Sequence, residues 1–321
     1  MHTSSEITYS MVVPLYNESA GLQAFHASLQ EVLTEHVSEP YEIIYCNDGS
    51  SDTTLSKLHL IAKHSPQVRV VSLSRNFGKE IAISAGVNEA RGKAIITLDA
   101  DGQHPVELIP EFISRWKAGS KIVAGVRTAN QKEGVVKRLG SHLFYWLFNR
   151  LAGKKVVPGL SDYRLIDRSI QREFARMTEH NRFTRGLVDW LGYPQDYLYF
   201  KANPRLAGDA SYSVRKLFKL AIDSVVSLSS SPLHWAAYLG AVVLPVSVLL
   251  AVGMLVNAII GDPFGLHITG GAFVLVFLLF LVGILLVSQG IIGLYLSHIH
   301  AETQNRPLYI IDQDNSVRLH E

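Results

Sequence analysis

The stretch Ile95-Ile96-Thr97-Leu98-Asp99-Ala100-Asp101-Gly102-Gln103-His104-Pro105 decides how this chain is read. Ile95 to Leu98 is short, apolar and rich in β-branching, the pattern of a buried strand. Two carboxylates one residue apart stand where that strand runs out, and Gly102 and Pro105 mark a turn. Strand side chains alternate with a period of two, so Asp99 and Asp101 are expected on the same side. Carboxylates this close repel unless a cation or a proton lies between them. Hard oxygen ligands suit Mg²⁺ or Mn²⁺, which take one or two carboxylates and complete their shell with substrate phosphates. A lone D-x-D is also what a solvated turn presents, so the surroundings must decide.

Upstream, strands and helices alternate. Tyr9 to Pro14, Glu42 to Cys46 and Val68 to Leu73 read as strands, with Ile95 to Leu98 as the fourth. Helices are expected from about Ala20 to Glu35, Thr53 to His64 and Lys79 to Arg91. This rhythm argues for an α/β domain with a mostly parallel, Rossmann-like sheet covered on both faces. Ligands of such sheets bind beyond the carboxyl ends of the strands. The polar clusters lie there: Pro14-Leu15-Tyr16-Asn17-Glu18, Asn47-Asp48-Gly49-Ser50-Ser51-Asp52, Ser74-Arg75-Asn76-Phe77-Gly78-Lys79, and the D-x-D. Asp48 could bond a nucleobase or ribose. Ser51 and Asp52 read as helix N-caps, and Gly49 and Gly78 as tight-turn residues. Lys79 fits either a phosphate or a solvated helix start. No G-x-G-x-x-G or G-x-x-x-x-G-K-[ST] motif occurs, which counts against dinucleotide redox chemistry and P-loop hydrolysis.

A formal net charge of +2 over 321 residues, with no base-reading motif, argues against nucleic acid as a partner. The mean hydropathy of +0.16 points to membrane segments. No Asp, Glu, Lys or Arg occurs from Pro232 to Gly261, nor from Phe264 to Ala301. Each run exceeds the roughly 20 residues that cross a bilayer. Two helices, about 233–260 and 270–298, are therefore expected as a transmembrane hairpin within residues 232–300. Lys201, Arg205, Arg215, Lys216 and Lys219 precede the first run and Arg306 follows the second, while the link carries no Lys or Arg. That bias places both ends in the cytoplasm. Met1 to Ser10 lacks the features of a secretory signal. The expectation is a multi-pass protein of the cell (inner) membrane whose catalytic domain, residues 1–212, is cytoplasmic. The single cysteine, Cys46, reads as a core thiol and excludes an intrachain disulfide.

Val135, Val136, Leu139, Leu143, Leu147 and Leu151 recur at three- and four-residue spacing, with Phe144, Tyr145, Trp146, Lys137, Arg138 and Arg150 among them. This amphipathic segment (about 135–151) fits either a membrane-interface helix or a core-facing one. Residues 213–231 read as a second, juxtamembrane amphipathic helix, and 301–321 as a cytoplasmic tail.

The order V-P-x-Y-N-E, N-D-G-S-S-D, R-N-F-G-K and D-A-D-G-Q-H-P resembles the family-2 glycosyltransferases of GT-A fold. Ser161-Asp162-Tyr163-Arg164-Leu165 is similar to that family's D-F-R-L segment. Arg205-Leu206-Ala207-Gly208-Asp209-Ala210-Ser211-Tyr212-Ser213 resembles an R-x-x-G-x-S-K-Y-S loop. Gly293-Leu294-Tyr295 with Glu302, Arg306, Pro307 and Tyr309 resembles the segment after the second span. Together these resemble the polyprenyl-phosphate branch, similar to dolichol-phosphate-mannose synthases and especially to bacterial undecaprenyl-phosphate glucosyltransferases of the GtrB type. Two departures stand out: Asn47 replaces the first Asp of D-D-G-S, and Ala210-Ser211 replaces Ser-Lys. The Q-x-x-R-W motif of processive synthases is absent.

The resemblance implies inverting transfer of one hexose, glucose from UDP-glucose first among them, to undecaprenyl or another polyprenyl phosphate at the membrane. Asp99, Asp101 and Asp162 are the implied catalytic residues, with Asp99 and Asp101 holding Mg²⁺ or Mn²⁺. Pro14, Tyr16, Glu18, Asp48, Lys79, Asp99, Gln103 and Arg205 are implied in binding the nucleotide sugar. Arg127, Arg138 and Ser141 are implied in gripping the acceptor phosphate, for which arginine's planar fork is suited. Asp162 could orient sugar or acceptor, act as a base, or simply pair with Arg164. Other donors (mannose, N-acetylhexosamine, an aminopentose) and a non-catalytic membrane scaffold are the competing readings. Gly283, Gly290 and Gly293 allow close helix packing, which leaves a homo-oligomer open without fixing the subunit number.

Overall fold

The computed structural model describes residues 6–128, 157–179, 182–203 and 270–319, with scattered helical positions between 242 and 260. The chain divides into two units. One comprises 1–145, 155–212 and 306–321, and the other comprises 146–154 and 213–305.

The first unit is built on a seven-stranded mixed sheet. Its elements in chain order are β1 (Tyr9–Leu15), α1 (Leu22–His36), β2 (Tyr41–Asn47), α2 (Thr54–His64), β3 (Val68–Ser72), α3 (Lys79–Glu89) and β4 (Ala94–Thr97). A 3₁₀ turn (Val106–Leu108), α4 (Ile109–Lys117), β5 (Ile122–Arg127), β6 (Leu160–Asp167), α5 (Arg168–Ala175), α6 (Thr184–Trp190) and β7 (Gln195–Phe200) follow. The strand order is β3-β2-β1-β4-β6-β5-β7. Strands β1 to β4 are mutually parallel, as are β5 and β7, while β6 runs antiparallel to both of its neighbours. The expected Rossmann-like, mostly parallel GT-A sheet is present, with the antiparallel β6 as its mixed element.

Burial follows from composition. Strands β1 and β4 are buried at every position, as central strands with both faces covered must be, and β3, at one end of the sheet, is buried throughout as well. Helix α1 turns Leu22, Phe25, Leu29 and Leu33 inward at helical spacing. Helix α3 is buried continuously from Ile81 to Val87, because it packs on β1 and β2 on one side and on α5 and α6 on the other. One core cluster lies on the α1, α2 and α4 face, with Tyr9, Met11, Ile43, Val70, Phe112 and Tyr163. The other lies on the α3 face, with Val12, Ile44, Cys46, Ile95, Ile166 and Phe174. Cys46 is fully buried, as expected of a core thiol.

The second unit contains α7 (Gly270–Thr303), 34 residues of which Phe280–Ser297 form a window apolar enough to cross a bilayer, with none of it buried inside the protein. At 1.5 Å per residue the helix spans roughly 50 Å. Among the described residues this is the one helix long and apolar enough to span. The expected first span, the interface helix (135–151) and the juxtamembrane helix (213–231) fall largely or wholly outside the described residues.

Candidate active site

The strand order reverses at β1, which has β2 on one side and β4 on the other, and the implied nucleotide-binding loops meet at the carboxyl ends of these strands. Interlocking side chains tie the loops after β1 and β2 together. The Asn17 side-chain oxygen accepts the Ser51 N–H at 2.8 Å and the Asp52 N–H at 3.4 Å, and the Asn17 N–H donates to Ser50 Oγ at 3.0 Å. Asp52 accepts from Thr54 N at 2.9 Å, satisfying an orphan donor at the start of α2 from one residue before the N-cap position. Glu18 presents its N–H to Thr54 Oγ1 at 3.0 Å. Pro14 is buried in β1, and Tyr16 beyond it is 47 % exposed.

Asp48 is almost fully buried, and its two oxygens accept the Phe77 and Gly78 N–H groups at 2.7 and 2.9 Å. Burial raises its carboxyl, while those two donors pull it back. This side chain thereby organises the R-N-F-G-K loop. Gly49 has φ +61°, and a Cβ there would sit 2.4 Å from the Arg75 carbonyl carbon, so the turn needs glycine. Asn47 donates to Ser72 Oγ at 3.0 Å and accepts the Ser50 N–H at 3.2 Å. One side chain thus serves as donor and acceptor, a pairing open to an amide.

The D-x-D does not continue β4 as expected. The strand ends at Thr97, and Asp99 to Gly102 form a turn in which Gly102 takes φ +78°. Strand alternation therefore does not set the relation between Asp99 and Asp101. The Asp101 carboxylate accepts the Gln103 N–H at 2.9 Å, and His104 Nδ1 accepts the Asp99 N–H at 2.9 Å. His104 is buried, stacked 5.0 Å from Tyr163 and edge-on to Phe200. Burial lowers its pKa, which keeps the ring neutral and Nδ1 an acceptor.

Because β6 is antiparallel to β4, with Thr97 opposite Arg164, the start of β6 arrives beside the end of β4. Asp162 thereby joins Asp99. Lys79, the first residue of α3, places its amine 2.7 Å from the Asp99 carboxylate and 3.1 Å from Asp162 Oδ2. Arg185, from α6, brings Nε to 2.8 Å from Asp162 Oδ1, and its Nη1 donates to the Leu160 carbonyl at 2.8 Å. Burial alone would raise the Asp162 carboxyl, but Lys79 and Arg185 outweigh it and hold it well below the usual carboxylate range. Burial would likewise lower the Lys79 amine, and the two carboxylates push it above its ordinary value instead. Asp162 is not paired with Arg164 in the way the local sequence suggests. Arg164 is fully buried, donates one long 3.5 Å bond to the Ser161 carbonyl, and has no other hydrogen-bond partner among the described residues.

Glu80 accepts the Thr184 N–H at 2.9 Å, which fixes the start of α6 and so delivers Arg185. Arg185, Glu80 and the roles of His104 and Arg164 escape the sequence reading. The D-A-D-G-Q-H-P motif contained His104, whereas nothing local connects Arg185 to Asp162. Of the remaining implied residues, Arg127 is exposed at the end of β5, with its N–H held by the Gly159 carbonyl at 2.8 Å. Arg138, Ser141 and Arg205 lie outside the described residues.

The donor set can be tested against a divalent cation. Among the described residues no group of three or more His, Cys, Asp or Glu side chains could hold a metal unaided. Asp99 and Asp101 supply two hard-oxygen carboxylates on one turn, which fits Mg²⁺ or Mn²⁺ completed by the phosphates of a bound nucleotide.

Residues 10–175 match the family described as Glycosyl transferase family 2. The chain is 39 % identical over 305 residues to an uncharacterized glycosyltransferase of Synechocystis, covering 95 % of each. It is 36 % identical over 302 residues to the prophage bactoprenol glucosyl transferase homolog of Escherichia coli, covering 94 % of this chain and 97 % of that protein. It is 34 % identical over 304 residues to the bactoprenol glucosyl transferase of Shigella phage SfX, covering 94 % and 98 %.

Proposed function

This chain belongs to glycosyltransferase family 2, and on that premise we propose that it transfers a single glucose from UDP-glucose to undecaprenyl or a related polyprenyl phosphate, with inversion. The observation that carries this reading is the convergence of Asp99, Lys79 and Asp162 at the end of the sheet where strand order reverses. The names of the near-full-length relatives support the sugar and the lipid carrier.

Asp99 and Asp101 would hold the divalent cation, which when bound supplies Lewis-acid stabilisation of the departing diphosphate. Every other step belongs to the chain. Asp48 holds the Phe77 and Gly78 amides and so sets the loop beneath the nucleotide. Pro14, Tyr16, Glu18, Gln103 and Arg205 complete the donor site. Lys79 shares its charge between Asp99 and Asp162 before the donor arrives and stands ready to meet the diphosphate. The acceptor phosphate is already an anion, so its oxygen attacks the anomeric carbon without losing a proton to a base. Asp162, clamped by two cations, acts as an ionised orienting group and not as that base. Arg127, Arg138 and Ser141 would grip the acceptor phosphate, since two anions meet only where cations screen them. The lipid tail stays in the bilayer beside α7 and the first apolar run, 233–260. Those two helices form a hairpin with the 1–212 domain and residues 301–321 on the cytoplasmic side of the cell membrane.

The test is transfer of labelled glucose from UDP-glucose into extractable lipid by the purified full chain, with undecaprenyl phosphate and Mg²⁺ or Mn²⁺. Omitting lipid, chelating metal, or Asp101→Ala should each abolish the label. Transfer from another nucleotide sugar alone would correct the donor. No transfer from any donor by folded protein in the presence of lipid would favour a non-catalytic scaffold.

A further inference from the structure

Strand β3 is an edge of the sheet, and an uncovered edge invites unwanted pairing. The segment that follows α7 covers it. Val317 pairs antiparallel with Val70: its N–H reaches the Val70 carbonyl at 2.9 Å, and its carbonyl takes the Val70 N–H at 3.2 Å. The Asp312 N–H donates to the Ser72 carbonyl at 2.8 Å, and Ser316 Oγ accepts the Ser72 N–H at 3.0 Å. The Ile310 carbonyl accepts the Ser74 N–H at 2.9 Å. Val317 packs on one core cluster, while Tyr309, Ile311 and Leu319 pack on the other.

At the far end of β3 a buried ion cluster fastens the same segment. Arg69 pairs with Glu42 at 2.9 Å and Glu89 at 3.4 Å, and its Nε donates to the Arg318 carbonyl at 3.0 Å. Arg91 donates to the Leu319 carbonyl at 3.1 Å, and Arg318 in turn donates to the Val68 carbonyl at 2.7 Å. A loose extension would not recruit a nearly fully buried arginine.

The upper end of this dock touches the donor loops. Ser72, held by Asp312 and Ser316, receives the Asn47 amide, and Asn47 accepts the Ser50 N–H. Ser74, held by Ile310, is four residues before Gly78, whose N–H, with that of Phe77, binds Asp48. Two short relays thus run from one segment into both loops implied in nucleotide binding. We infer that residues 308–319 are a positioning element of the donor site, an added edge segment that holds the loops after β2 and β3 in their nucleotide-binding form. The inference rests on the glycosyltransferase reading for the identity of the ligand, and on the contacts alone for the ordering of the loops.

The experiment uses the full chain in lipid nanodiscs, Val317→Pro and Ser316→Ala variants, and a chain ending at residue 305. UDP with Mn²⁺ is the probe, and amide hydrogen exchange is followed over residues 72–78. Val317→Pro and the shortened chain should bind UDP at least tenfold more weakly, with faster exchange over 72–78 and an unchanged circular-dichroism spectrum. A synthetic 306–321 peptide should restore the binding of the shortened chain. Ser316→Ala, which deletes the hydroxyl that accepts the Ser72 N–H and leaves the other dock contacts in place, should weaken UDP severalfold and decides the matter if the larger changes unfold the protein. UDP affinity within twofold of the parent in Ser316→Ala, or unchanged exchange over 72–78 when the segment is released, would overturn the inference. A parent protein that binds no nucleoside diphosphate would overturn the functional reading instead, while the exchange result still judges the ordering of the loops.

Discussion

Asp162 shows how neighbours, and not residue type, set what a carboxylate does. Two cations within 3.1 Å keep it ionised, so it cannot produce a rate limb near neutral pH. Arg185 acts through Asp162 and is a positioning residue. Arg185→Gln should lower kcat by about 10²-fold, as expected for a misplacement of about 1 Å, with donor KM little changed and partial recovery in Arg185→Lys. A KM effect alone, measured in the same transfer assay, would reject that role. His104 makes a prediction of opposite chemistry. Burial lowers its pKa on folding, so the unfolded chain takes the proton more readily between that lowered value and about 6.5. Its contribution is complete above about pH 6.5 and is lost as pH falls below it. The melting temperature should fall more between pH 7.5 and 5.5 in the parent than in His104→Asn, whose amide oxygen can still accept the Asp99 N–H. Equal falls would show that His104 is not the titrating group.

Helix α3 carries most of the site's precision at the scale of elements. Its first residue, Lys79, bridges two carboxylates, its second, Glu80, anchors α6, and its middle is pressed against the sheet. Gly86 permits that closeness, because a Cβ there would lie 2.4 Å from Cys46 Sγ and 2.5 Å from Val12 Cγ1, both in a fully buried layer. Alanine's better helix propensity returns at most about 1 kcal/mol, whereas overpacking a tight core costs about 1–3 kcal/mol. Gly86→Ala should therefore lower unfolding free energy in a denaturant titration and loosen Lys79. Equal or greater stability would mean that α3 can shift away from β1 without cost. The helices and strands up to β4 were legible within one or two residues, because each carries its own apolar period. The turn holding Asp99 and Asp101 was legible, but the strand alternation expected to put both on one side does not reach them. The residues there do not by themselves reveal that the ladder ends at Thr97.

The whole molecule joins a seven-stranded α/β sheet to a long apolar helix. The proposed hairpin can be checked by cysteine labelling, since Cys46 is the sole cysteine and is buried. In intact cells Asp262→Cys should react with a membrane-impermeant maleimide, and Gln304→Cys only after permeabilisation. The reverse pattern would mean that the hairpin is inverted, with its link in the cytoplasm. The sequence by itself determined the α/β rhythm, the carboxylate turn, the loop motifs and the apolar runs. Each is a property of neighbouring residues: a hydrophobic period, a turn signal, or a lack of charge over some twenty positions. Only the tertiary structure decided that Lys79, Asp99, Asp162 and Arg185 meet, because the meeting depends on an antiparallel β6 inserted beside β4. It alone also placed residues 308–319 on the β3 edge, where Arg69 contacts a carbonyl about 250 residues later in the chain. Pairing at such separation is chosen by which edge and which buried charges remain available after the sheet has formed, and no local pattern encodes that choice.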